Sequence, residues 1–144
     1  MNLLKVADVP ATVVPPTASI MEAVESMVAK SVGAVAVVDQ GKLVGIFSER
    51  DVMTRVVLSR KPPDKILVAE VMSAPVQTIA PEAGGGEALS RMVELHIRHL
   101  PVVSQDGRVL GMLSIRNLLQ RHVEELSNEL NSMDSYLTAD GIGG

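Results

Sequence analysis

The stretch Gly45–Arg55, GIFSERDVMTR, returns sixty-six residues later as Gly111–Arg121, GMLSIRNLLQR. Both copies run Gly, two large apolar residues, Ser, any residue, Arg, then Asp or Asn, with a second Arg four places on. They part at the carboxylate, which is Asp51 in the first copy and Asn117 in the second. The likeness spreads outward from there. With a shift of sixty-five, VADVPATVVPPTA (Val6–Ala18) lies on VMSAPVQTIAPEA (Val71–Ala83), and Glu22–Val38 lies on Glu87–Val103. One extra residue in the turn SQDG, against DQG, accounts for the change of offset. The chain is therefore two copies of one unit, and a repeat of this length fixes the architecture before any single element is assigned.

Each copy reads as β-α-β-β-α. A short apolar run precedes a helix start, VVPPTAS or TIAPEA. In the first helix Ile20, Val24, Met27 and Val28 share a face at helical spacing. AVAVVDQGKLVGIF and HLPVVSQDGRVLGML are hairpins, each with β-branched runs about a turn that contains Gly. A helix then opens at Ser48 or Ser114, a residue type favoured as an N-cap. The polar, Pro-rich Ser59–Lys65 joins the units. The boundaries expected are residues 1–60 for the first repeat, 61–65 for a linker, 66–126 for the second repeat, and 127–144 for a helix extension and tail. Gly84–Gly86 stand where the second unit's first helix should begin, so that helix is expected to fray or start late.

Ser48, Asp51 and Arg55 fall on one helix face, as do Ser114, Asn117 and Arg121. A helix N-terminus attracts anions, and an Asp three residues in can accept hydrogen bonds from vicinal hydroxyls such as those of a ribose. The same residues also describe a plain helix start, in which Ser caps, Asp favours the first turn and Arg55 pairs with Asp51. The residues alone leave both readings open.

The chain of 144 residues is 47% apolar, yet its only aromatics are Phe47 and Tyr136. Its core must be aliphatic. Eight Met and a mean hydropathy of +0.26 point to surface that is covered between chains. A net charge of −4 argues against a nucleic-acid partner. Without Cys there is neither thiol catalysis nor a thiolate metal site, and His96, His99 and His122 lack a metal-site spacing. No nucleophile, base and orienting group stand together, so an enzyme is not expected. The start MNLLKVADVPATVV has no leader pattern, and no apolar run approaches a membrane span, which leads to the expectation of a soluble cytoplasmic protein without a membrane partner.

VGAVAVVDQGKLVGIFSERD in the first copy, and VMSAPVQTIAPEA with EALSRMVELHIRHLPVVSQDGRVLGMLSIRN in the second, resemble the cystathionine-β-synthase (CBS) domain. Over Val6–Val123 the chain resembles a tandem pair of them, a Bateman module of the stand-alone bacterial type. The resemblance implies an α/β fold with the two repeats in pseudo-twofold packing. It implies a regulatory module that binds adenosyl ligands (AMP, ADP, ATP or NAD(H)) in clefts between the repeats and signals to a partner protein. No catalytic cofactor is expected. The alternative is a ligand-free CBS-type interaction scaffold. A homodimer formed through helical faces is also implied, with Val52, Met53, Val56 and Val57 as candidate contacts.

The resemblance also carries site residues. Site A would join Ser48 and Asp51 to Ser73, Val76, Gln77, Ile97, Arg98, His99 and Pro101. Site B would join Ser114 and Asn117 to Asp8, Ala11, Thr12, Val32, Gly33, Ala34 and Ala36. Arg50, Arg55, Arg116 and Arg121 are candidate phosphate contacts. Site A has a carboxylate for ribose and two cationic residues, Arg98 and His99, for phosphates. Site B has Asn117, Gly33 and Ala34 at those places, and is expected to bind more weakly, to be empty, or to take a less charged group. Beyond the second repeat, Leu119, Val123, Leu126, Leu130, Met133 and Leu137 form a heptad seam of fewer than three heptads. A helix there is expected to pack on its own module or on a second chain, before TADGIGG frays.

Overall fold

A computed structural model describes residues 2–137, and the expected fraying of Thr138–Gly144 lies outside them. The first half holds β1 (Val13–Val14), α1 (Ile20–Lys30), β2 (Ala34–Asp39), β3 (Lys42–Ser48) and α2 (Glu49–Asp51), which winds on as a π-helical stretch, Val52–Val57. The second half holds α3 (Gly85–Leu95), β4 (His99–Val103), β5 (Val109–Ser114) and α4 (Ile115–Leu137). β1 runs parallel to β2, and β2 pairs antiparallel with β3. β4 and β5 repeat the hairpin, and Ile79 bridges Val102 in parallel where the first half has β1.

The local chemistry explains these elements. Ser19 caps α1 by accepting from Glu22 N–H. Gln40 and Gly41 both have positive φ, the backbone that a two-residue turn needs to match the twist of its strands. In α1 Ile20, Ala23 and Met27 are buried, whereas Val28 is exposed, so the buried stripe is narrower than the apolar spacing implied. α3 starts at Gly85, the counterpart of Ile20, with Gly84 at the N-cap. The expected late start does not occur. The glycines occupy the cap and the first turn, where their cost is small.

The halves exchange their leading segments. Asp8 pairs with Met112 of β5 through two backbone hydrogen bonds of 2.9 and 3.0 Å. Ser73 pairs with Ile46 of β3 in the same way, at 2.8 and 3.0 Å. The two bridges are counterparts under the repeat offset. Leu3 lies in the second core with Met92, Leu100 and Leu113, while Val68 and Val71 lie in the first with Ile20, Val35 and Phe47. A smaller cluster, Ala34, Ala36 and Met112, joins the halves. The motif glycines sit under the exchanged segments. A Cβ on Gly45 would run into the Met72 side chain, and one on Gly111 would lie 2.9 Å from the Asp8 carbonyl oxygen.

Candidate functional site

The helix that follows β3 begins with a reciprocal cap. Ser48 Oγ accepts from Asp51 N–H at 3.4 Å, and Ser48 N–H donates to Asp51 Oδ2 at 3.0 Å. Ser48 Oγ also lies 3.2 Å from Oδ2. From the other half, Ser73 Oγ donates to Asp51 Oδ1 at 3.3 Å, and Arg55 Nε stands 3.6 Å from the same oxygen. Asp51 is only 7% exposed, and a carboxylate so placed persists because these donors surround it. Arg55 also donates to the carbonyls of Val71 and Met72, so its guanidinium holds the Ser73 segment against α2.

Above Asp51 a cleft of about 690 Å³ opens between the halves. Ser48, Asp51, Ser73, Ile97, Arg98 and His99 line it, as site A requires, together with Arg50 and Arg55. Val76, Gln77 and Pro101 do not line it, and Pro101 is fully buried inside β4. Ile46, Glu49, Met53, Thr54 and His96 also line it, and none of them belongs to the expected site A. Glu49 and Met53 could have been found from their place in the motif helix. His96 lies outside that helix. It ends α3 with φ of 55°, and its carbonyl accepts from Arg50 Nη1 at 3.0 Å, so Arg50 ties the two halves at the rim.

His99 is half-buried at the inner end of the cleft. Burial holds its imidazole below the ordinary pKa of 6.5, Glu49 and Asp8 oppose that, and Arg98 adds to it. A Cβ on Gly33 would lie 2.8 Å from Glu49 Oε1 and 3.1 Å from the His99 ring. The missing side chain at Gly33 thus makes room for the imidazole of the other half.

The second site is built differently. Its residues are shared between two hollows. One of about 610 Å³ is lined by Asp8, Ala11, Thr12 and Val32, among others. One of about 250 Å³ is lined by Lys5, Asp8, Asn117 and Arg121, among others. Gly33, Ala34, Ala36 and Ser114 line neither, and Ala34 and Ala36 are buried between the halves. Ser114 instead caps α4, accepting from Asn117 N–H at 3.0 Å. Arg116 is exposed, and Arg121 pairs with Glu125 at 3.3 Å. Asn117 Nδ2 donates to Asp8 Oδ1 at 3.4 Å. Asp8 and Ser73 are counterparts, as are Asn117 and Asp51. The second site therefore has its carboxylate, moved from the helix to the exchanged segment.

Two regions of the chain, residues 6–58 and 68–124, match the family model for the CBS domain. The chain belongs to the CBS-domain family. An uncharacterised protein of Methanopyrus kandleri is 33% identical to this CBS-domain pair over 106 residues, 73% of the chain and 54% of that protein. The chain thus spans about half the length of that relative. A solved protein with CBS domains from Burkholderia ambifaria is 32% identical, with a TM-score of 0.74 over 79% of this chain and 82% of that one. A CBS domain protein of Pyrobaculum aerophilum, solved in complex with AMP, is 27% identical, with a TM-score of 0.74 over 81% and 89%.

Proposed function

We propose that this CBS-domain pair is a regulatory module that binds a phosphorylated adenosine ligand (AMP, ADP, ATP or NAD(H)) in the Asp51 cleft. The observation that carries the reading is the convergence there of a nearly buried carboxylate with Arg50, Arg98 and His99 from the two halves. A carboxylate is an acceptor for vicinal hydroxyls, and guanidinium groups pair with phosphate oxygens. The AMP bound by the Pyrobaculum protein supports the ligand class. A ligand spanning both halves favours one arrangement of them, and a partner protein can read that difference. CBS domains are generally regulatory, and no catalytic role is proposed.

Calorimetric titration with AMP, ADP, ATP and NADH tests this. One nucleotide should bind per cleft, and Arg98→Ala, which changes an exposed side chain, should weaken it at least tenfold. A folded protein that takes up none of the four overturns the reading. The scaffold reading has one observation in its favour, that Asp51 is already satisfied by Ser48, Ser73 and Arg55. It expects that negative result. We further propose a homodimer through the helix after β3. Val56 is buried in the first core and Val52 packs against it, so the surface offered there narrows to Met53, Val57 and Leu58.

A further inference from the structure

Two carboxylates line the Asp51 cleft, and only one of them is answered. Asp51 is surrounded by the hydroxyls of Ser48 and Ser73 and by Arg55. Glu49 is exposed to whatever enters, and the salt bridges among the described residues, Arg55–Asp51 and Arg121–Glu125, leave it out. Its place is set by Gly33. Glu49 N–H donates to the Gly33 carbonyl at 3.0 Å, which fixes the start of α2 there. Glu49 Oε1 and the His99 ring both border the space that the glycine leaves open. The carboxylate therefore stands at the inner end of the cleft, beside His99. Its counterpart in the second half is the uncharged Ile115.

The positive charge free to meet a ligand is smaller than the number of basic residues. Arg55 is engaged by Asp51 and by the Val71 and Met72 carbonyls, and Arg50 is held at the rim by the His96 carbonyl. Burial keeps His99 below its ordinary pKa of 6.5, so its imidazole is neutral at pH 7.5. What remains at the inner end is the guanidinium of Arg98 against the carboxylate of Glu49. One phosphate brings about two negative charges near neutral pH, and each further phosphate adds to them. Repulsion by a carboxylate at close range grows with every charge added.

We propose that Glu49 limits the charge of the ligand, so that the cleft takes a nucleoside monophosphate in preference to a triphosphate. The inference rests on the nucleotide reading of the cleft and narrows it. Calorimetric titration with AMP and with ATP tests it, at pH 7.5 in magnesium-free buffer of low salt, where screening is weak. Three proteins are compared: the unaltered chain, Glu49→Gln, and Asp39→Asn, which removes an acid at the turn end of β2. The unaltered chain should bind AMP roughly tenfold more tightly than ATP. Glu49→Gln should close most of that gap by strengthening ATP, and Asp39→Asn should keep it. ATP bound as tightly as AMP by the unaltered chain, or a gap that survives in Glu49→Gln, overturns the proposal while the nucleotide reading stands. A gap closed equally by Asp39→Asn would trace it to overall charge and overturns the proposal as well. Binding of neither nucleotide by any of the three folded proteins overturns the nucleotide reading itself, and this inference with it.

Discussion

Gly111 and Gly45 answer why the repeated motif opens on glycine: each lies beneath the segment that crosses from the other half. The two are not equally demanding. At Gly111 the obstacle is the Asp8 carbonyl, held by its pairing with Met112, whereas at Gly45 it is a Met side chain that can move aside. Gly111→Ala should therefore cost about 1–3 kcal/mol, and more than Gly45→Ala, as read from urea midpoints. Equal losses would show that the crossing segments give way alike. His99 gives a prediction in pH. Its folded pKa is depressed, chiefly by burial, so the unfolded chain takes the proton first. The contribution is full above about 6.5 and is lost as pH falls through the folded pKa. His99→Gln should flatten the decline of unfolding free energy below pH 6.5, and an unaltered slope would place the titration elsewhere. At this scale the Ser48–Asp51 pair was legible, because a capping box is local. The Asp8–Asn117 exchange was not, because its partners are 109 residues apart and no short-range rule pairs them.

Among the elements, helices and hairpins were legible because burial imposes a period on their sequence and turn chemistry bounds them. The π-helical stretch after Asp51 carries no such signal, and the glycine run at α3 was misread because its place at the cap depends on where the chain enters the helix. The two Ser caps have different duties, which stability measurements can separate. Ser114 makes a single cap hydrogen bond, so Ser114→Ala should cost about 1 kcal/mol. Ser48 caps α2 and also meets the Asp51 carboxylate through its hydroxyl, so Ser48→Ala should cost more. Thermal melts of the two variants decide it. A larger loss at Ser114 would mean that the Asp51 network stands without the hydroxyl.

For the molecule as a whole, the repeat announced two similar halves but not that each half's core contains a piece of the other. Leu3 and Val68 lie in short helical turns, too brief for periodicity to reveal which core they enter. A residue so near the N-terminus is ordinarily expected to tolerate change. Leu3 should not, because its side chain is fully buried among Met92, Leu100 and Leu113, and its N–H donates to the Pro81 carbonyl at 2.8 Å. Truncation leaves a cavity in the second core, and Leu3→Ala should cost about 2–5 kcal/mol. The exchange also dictates the form of the loss. Weakening the second core loosens the segment that pairs Asp8 with Met112, and through it the junction of Ala34 and Ala36 with Met112. Both halves should then unfold together, in one urea transition shifted to lower denaturant with its slope kept. If Leu3→Ala instead split the curve into two transitions, the halves would be independent folding units, and the exchanged segments would serve only to set the cleft between them.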